Sequence, residues 1–219
     1  MRSRRPRGCS EVPQGSGDVI ALIDYGAGNL RSVDNALKAA GGSPTVTADP
    51  ELVARADRIV LPGVGAFAAC MGGLTAIPGM IEAMHRAVHD RGVPFLGVCV
   101  GMQLLADAGL EHGRTPGLGW IGGDVRLMTP GASHKVPHMG WNDVVPTRPH
   151  PLILPGEAYY LHSFVFDVAD PADRLATTDH GGPITAAVGR GNIVGAQFHP
   201  EKSQAYGLAF LARFLAWKP

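Results

Sequence analysis

PFLGVCVGMQLLADAG, residues 94 to 109, decides how the rest of the chain reads. Phe95 to Val98 is a short apolar run of buried-strand type, Met102 to Ala108 reads as the start of a helix, and Gly97-Val98-Cys99-Val100-Gly101 lies between them. Strand, sharp turn and helix with G-x-C-x-G spacing form the thiol counterpart of the G-x-S-x-G nucleophile elbow. Small flanking residues let the chain turn tightly and leave the central side chain accessible. Cys99 is therefore the candidate nucleophile, and the free N–H groups and dipole of a helix N-terminus favour its thiolate. On the elbow alone a buried, inert cysteine fits as well, since apolar strands ending in Gly-x-Cys suit any parallel sheet.

The same strand grammar extends toward the N-terminus. Val19 to Ile23 is a continuous apolar run, Leu30 to Ala40 carries Leu30, Val33 and Leu37 on one helical face, and Gly41-Gly42 stops that helix. Pro44 to Thr47 and Arg58 to Leu61 add two more strands, giving the strand–helix alternation of a parallel α/β sheet. The Gly26-Ala27-Gly28 turn lacks the third glycine and the downstream acid of a dinucleotide fingerprint. Helical material follows from Ala68 to Leu74, where Cys70 reads as core, and from Met80 to Val88. Pro62-Gly63-Val64-Gly65 ends the third strand, so the backbone N–H of Val64 can face the carboxyl edge of the sheet, where open α/β sheets bind ligands. There Val64 and Val100 are candidate oxyanion donors; an ordinary glycine-rich turn is the alternative.

After Leu118 the pattern changes to strands joined by Gly, Pro and Asp turns: Gly123 to Met128, Trp141 to Val145, Tyr159 to Val165, Arg174 to Thr178, Ile184 to Val188 and Ile193 to Phe198, with a final helix from Ala205 to Trp217. The expected fold class is α/β, with a mixed, mostly parallel central sheet flanked by helices and an antiparallel extension. Residues 18–219 are expected to form a single domain. Residues 1–17, with Arg2, Arg4, Arg5 and Arg7 among Pro, Gly and Ser, read as a disordered tail, and Pro6, Gly8, Pro13 and Gly15 oppose the amphipathic helix of a transit peptide.

Composition narrows the function classes. The 219 residues carry 19 Lys+Arg and 19 Asp+Glu, so no global field draws the chain to nucleic acid or a membrane surface. Cys9, Cys70 and Cys99 show neither disulfide-framework nor C-x-x-C spacing, and no apolar stretch reaches the roughly 18–20 residues that span a bilayer. A cytoplasmic protein without metal or cofactor is the expectation.

Gln197-Phe198-His199-Pro200-Glu201 supplies what the elbow lacks. The strand from Ile193 brings His199 to the carboxyl edge, Pro200 fixes the turn, and Glu201 can hold one imidazole nitrogen while the other faces the thiol. Nucleophile, base and orienting carboxylate are the roles covalent acyl chemistry needs. His85, His89, His112 and His180 read as solvated.

The G-V-C-V-G-M-Q elbow with His199-Pro200-Glu201 resembles the class I, triad-type glutamine amidotransferases. Within them Asp24 to Leu30 (DYGAGNL), Leu61 to Phe67 (LPGVGAF), Lys135 to Asn142 (KVPHMGWN) and His199 to Ser203 (HPEKS) are similar to HisH, the glutaminase subunit family of imidazole glycerol phosphate synthase. The resemblance runs from about Val19 to the C-terminus; it departs from the commoner pattern at Val100 and Phe164, and both positions keep their backbone N–H. It implies that Cys99 attacks the side-chain amide of L-glutamine, that His199 shuttles the proton with Glu201 behind it, and that Val64 and Val100 stabilise the oxyanion. Gly65, Gln103, Glu111, His162 and Ser163 would line the glutamine pocket, Glu111 holding the α-ammonium. The implied partner is a (β/α)8-barrel cyclase subunit, HisF, which uses the ammonia to convert PRFAR to imidazole glycerol phosphate and AICAR. Asn29, Trp141, Tyr159 and Lys202 would face it, although Trp141 beside Gly140 also fits a core-filling role. Glutaminase subunits of pyridoxal phosphate or aminodeoxychorismate and anthranilate synthesis, and a non-catalytic α/β binding module, are the alternatives.

Overall fold

The computed structural model describes residues 18–131 and 134–219; the reading of residues 1–17 as a tail, Cys9 included, lies outside the described residues. The elements run β1 (Ile20–Ile23), α1 (Leu30–Ala39), β2 (Pro44–Thr47), α2 (Pro50–Arg55), β3 (Arg58–Gly63), α3 (Phe67–Thr75), α4 (Met80–His85), β4 (Phe95–Cys99), α5 (Val100–Gln103), β5 (Ala108–Gly109), β6 (Thr115–Pro116), β7 (Gly123–Leu127), β8 (His138–Pro146), β9 (Gly156–His162), β10 (Phe164–Val168), β11 (Arg174–Asp179), β12 (Pro183–Arg190), β13 (Ile193–Ala196) and α6 (Gln204–Ala216). Nine strands form one sheet in the order β2-β1-β3-β4-β13-β12-β11-β8-β9. The first five are mutually parallel. From β13 onward every pairing is antiparallel. This is the mixed α/β sheet that the alternation of apolar runs and helices predicts.

The parallel strands are apolar because helices cover them. Every residue of β1, β3, β4 and β13 is buried. Helix α1 presents Val33, Ala36 and Leu37 to the core. Helix α6 adds Phe210, Leu211 and Phe214. Helix α2 is called for by the strand–helix alternation without bounds, and its start signal is plain: Asp49 caps it, accepting the Glu51 N–H at 2.9 Å, and Pro50 occupies the first turn, where its missing N–H costs nothing.

The expected helix from Met102 to Ala108 is replaced by the four-residue α5. Its continuation is diverted by the segment after Gly117: the carbonyls of Leu104, Leu105 and Ala106 accept from the N–H groups of Leu118, Trp120 and Gly119 instead of from the next helical turn. Ala108–Gly109 then becomes β5 in a second, four-stranded sheet of order β10-β7-β5-β6, which the sequence reading did not contain. The expected strand from Tyr159 to Val165 divides between the two sheets, β9 pairing with β8 and β10 with β7. Ser163 is the corner, its carbonyl accepting from Met128 N–H at 3.0 Å.

Candidate active site

Strands β3, β4 and β13 end side by side, Gly63 in register with Cys99. Cys99 adopts φ 55°, ψ −113°, a conformation that an L side chain holds only when its surroundings force it, at a cost of about 1–3 kcal/mol. The surroundings here are backbone: a Cβ at Gly101 would lie 1.9 Å from the Leu61 carbonyl oxygen, so only glycine lets the turn sit this close to β3. The β3 loop is itself tied down on both sides of Gly63. Tyr25 donates its hydroxyl to the Pro62 carbonyl at 2.6 Å, and the Cys70 thiol donates to the Val64 carbonyl at 3.4 Å. Burial pushes the Cys70 thiol up, which keeps it protonated as that donor.

His199 follows β13 and is pinned to β9. Its N–H donates to the Tyr159 carbonyl at 2.9 Å, and Ser203 bridges the same strand and turn, donating to the His199 carbonyl at 2.6 Å while accepting from Tyr159 N–H at 2.9 Å. His199 Nδ1 lies 2.9 Å from Glu201 Oε1, and both side chains are at least 96 % buried, their exposures being 4 % and 1 %. Cys99 and His199 line the same cavity, and the sulfur acts on the imidazole from that side. Burial alone would lower the histidine; Cys99 and Glu201 outweigh it and push His199 up to about 10. The protonated imidazole is thus the favoured form between the sulfur and the carboxylate, which suits a group that takes the thiol proton and later returns it.

A cavity of about 190 Å³ opens over this pair, the space of roughly six waters at about 30 Å³ each, which suits one amino-acid-sized ligand. Val64, Gly65, Cys99, Val100, Gln103, His162, Ser163 and His199 all line it, together with Leu161, Phe164 and Lys202. Glu111 is not in that wall; its carboxylate accepts the Phe67 N–H at 3.0 Å, just past the Val64–Gly65 loop. Lys202, expected at a partner surface, reaches the cavity as well and lies 5.7 Å over the Tyr159 ring. Tyr159 in turn pairs across strands with Trp141, ring centroids 6.2 Å apart. Trp141 is 48 % exposed, which overturns the core-filling alternative, and Asn29 is exposed ahead of α1.

Two placements escaped the sequence reading. Gln197 is fully buried, its amide nitrogen 3.8 Å from the Cys99 sulfur and its oxygen accepting from Gln103 Nε2 at 2.9 Å. Gln103 also donates to the Phe164 carbonyl at 3.2 Å, so both of its amide protons are engaged and its oxygen alone is left to face a ligand. The only signal in the sequence was a polar residue inside an otherwise apolar strand. His180, expected to be solvated, instead stacks on His138 with centroids 4.3 Å apart. Among the described residues no group of three or more His, Cys, Asp or Glu is placed to hold a metal ion, and no single helix is long and apolar enough to cross a membrane.

A strained thiol backed by a histidine and a buried carboxylate, at the carboxyl edge of an open α/β sheet, is the layout of a thiol-dependent acyl-transfer enzyme. The family model for class-I glutamine amidotransferases matches residues 21–216. The imidazole glycerol phosphate synthase subunit HisH of Zymomonas mobilis subsp. mobilis is 62 % identical over 205 residues, covering 91 % of this chain and 96 % of that protein. HisH of Caulobacter vibrioides is 54 % identical over 211 residues, covering 91 % and 99 %. A crystal structure of a glutamine amidotransferase superposes with a TM-score of 0.71 at 18 % identity, covering 91 % of this chain and 100 % of that one, a likeness of fold alone. The chain belongs to the class-I glutamine amidotransferases and, within them, to the HisH family.

Proposed function

We propose that this chain is the glutaminase subunit of an imidazole glycerol phosphate synthase, residues 18–219 acting as one domain, and that Cys99, His199 and Glu201 carry its chemistry. The Cys99 sulfur adds to the side-chain carbonyl carbon of L-glutamine, and the oxygen takes the negative charge toward the N–H groups of Val64 and Val100. The C–N bond breaks as His199 gives its proton to the leaving nitrogen, releasing ammonia and leaving a thioester on Cys99. Water then adds to the thioester with His199 as base, and glutamate leaves as the thiol is restored. Glu201 orients the imidazole and stabilises its protonated form, while Gly65, Gln103, His162 and Ser163 shape the pocket and Glu111, outside its wall and bonded through one oxygen to the Phe67 N–H, keeps its second oxygen for the α-ammonium. Ammonia passes to a (β/α)8-barrel cyclase subunit docked over Asn29, Trp141, Tyr159 and Lys202, where it converts PRFAR to imidazole glycerol phosphate and AICAR. The setting is the cytoplasm, in keeping with the free thiols of Cys70 and Cys99.

The observation that carries this reading is Cys99 and His199 side by side on one small cavity, with the buried Glu201 carboxylate 2.9 Å behind the imidazole. The test is glutamate release by the isolated chain, and again with an equimolar cyclase subunit and its ribulosyl ligand. Strong stimulation in the complex is expected; turnover indifferent to that partner would assign the chain to another amidotransferase pathway, and no glutamate in either condition would leave a binding module.

A further inference from the structure

His162 forms part of the cavity wall, and a row of side chains behind it leads away from the reacting groups. His162 on β9 and His138 on β8 are directly opposed across the strands. Nδ1 of His162 lies 2.9 Å from the Phe164 carbonyl oxygen. That oxygen can only accept, so Nδ1 carries the proton and Nε2 carries a lone pair. Nε2 lies 3.1 Å from His138 Nδ1, which must then be the protonated nitrogen of that ring. His138 Nε2 is left as an acceptor, and it meets the Asn142 amide nitrogen at 3.0 Å. The second proton of that amide goes to the Asp179 carbonyl at 2.7 Å. Each assignment forces the next, and the row ends on a backbone oxygen that cannot donate.

The ring at the centre is held in its plane as well as at its two nitrogens. His138 is sandwiched between Tyr160, at 4.8 Å and 20°, and His180, at 4.3 Å and 27°; His180 is fixed by its own bond from Nε2 to the Lys135 carbonyl at 2.7 Å. Burial, with the neighbouring histidines His180 and His134, holds His138 down to about 4. Burial also takes His162 to about 3, against the partial compensation of its bond to Phe164. Both rings are neutral near pH 7, the only state in which every bond of the row has one donor and one acceptor. At its other end the Phe164 carbonyl also accepts from Gln103, whose amide joins Gln197 beside Cys99.

We propose that His138 and Asn142 are positioning residues for the substrate pocket: they hold the His162 ring by its Nε2 lone pair, opposite the bond to Phe164, and so keep the rim from Leu161 to Phe164 in place. This rests on the reading above that the cavity takes glutamine. Neither residue touches the ligand space, so their loss acts on ground-state binding and leaves the acyl chemistry at Cys99 in place.

The test is made in the complex with the cyclase subunit, using His138→Asn, His138→Leu and Asn142→Leu. The asparagine amide nitrogen falls near the position of imidazole Nδ1, so it can still donate to His162; leucine has similar bulk and no donor. His138→Leu is expected to raise the KM for glutamine about tenfold with kcat within about twofold, and His138→Asn to restore KM to within about threefold of the parent. ¹⁵N spectra of the imidazoles give a readout independent of turnover: His162 is expected as the Nδ1–H tautomer throughout, with its Nε2 resonance shifted in His138→Leu, where the lone pair loses its donor, and unshifted in His138→Asn. Asn142→Leu, more exposed and less disruptive to folding, should shift the His138 Nε2 resonance as that lone pair loses its donor, with a KM rise of about threefold. A parent His162 found as the Nε2–H tautomer, or an unchanged KM in His138→Leu, overturns the proposal, as does a His138→Asn as impaired as the leucine variant. A parent that releases no glutamate, yet shows the Nδ1–H tautomer, faults the assignment of the pocket and leaves the row as described.

Discussion

The parallel and antiparallel halves of the nine-stranded sheet meet at β13, and they differ in what each strand leaves exposed. In β1, β3, β4 and β13 every residue is buried. In β8 and β9 buried and exposed positions intermingle, with Met139 at 62 % and Trp141 at 48 % exposure. Cys99 and His199 come from the ends of the first kind of strand, while His162, Trp141 and Tyr159 come from the second. Strands packed on both faces position a nucleophile and its base with little freedom. Strands with one solvated face can line a pocket on one side and offer a surface to a partner on the other.

The strongest way to break this division of labour is to exchange the effects. Cys99→Ala is expected to lower glutamate release by roughly four orders of magnitude or more, with partner binding retained. A comparable loss of basal turnover from Trp141→Ala would put chemistry in the antiparallel half. Backbone substitutions sharpen the contrast next. Gly101→Ala places a Cβ 1.9 Å from the Leu61 carbonyl, and a loss of about 3 kcal/mol or more is expected in chemical denaturation. Gly140→Ala on β8 meets nothing within 4 Å and carries only the strain of φ +128°, about 1–2 kcal/mol. Equal losses at the two glycines would remove the distinction between a packed and an open half.

Titration separates the halves by sign. His138 and His162, held neutral on β8 and β9, sit below the unfolded value of about 6.5. The unfolded chain therefore binds more protons, and their contribution is lost as the pH falls from about 6.5 toward 4. His199, raised to about 10, contributes fully below about 6.5 and loses that contribution as the pH rises toward 10. Denaturation midpoints across pH should show both limbs, His138→Asn flattening the acid one and His199→Gln the alkaline one. The smallest effect is expected from Trp141→Ala on the isolated chain, within about 0.5 kcal/mol, because half of its surface is already in water. The same variant should lower partner-stimulated turnover about tenfold or more, as an aromatic anchor at an interface does.

The same difference explains what the sequence discloses. Buried parallel strands announce themselves as unbroken apolar runs, so β1, β3, β4 and β13, and with them the places of Cys99 and His199, could be read directly. The elbow glycines are legible because G-x-C-x-G admits few geometries. The second sheet is not legible, since β5 and β6 have two residues each, too few to show any alternation, and exist only through their pairings. The break at Ser163 hides inside a run of strand-forming residues, and its cause, the Met128 N–H, lies 35 positions away. Helix α5 fails to extend for the same kind of reason, since its carbonyls find partners in the segment after Gly117. Gln197, His138 and His180 acquire their places only when β13, β8 and the turn after β11 come together, which no local pattern encodes.

Two chemically identical thiols, Cys99 at the elbow and Cys70 on α3, compete for the role of nucleophile in the proposed glutamine site. A diazo-ketone analogue of glutamine, followed by peptide mass spectrometry, decides between them directly. One adduct is expected, on Cys99, that excess L-glutamine prevents and that His199→Gln slows strongly. An adduct on Cys70, or a Cys99 left unmodified while the protein remains folded, would contradict the assignment of Cys99 as nucleophile.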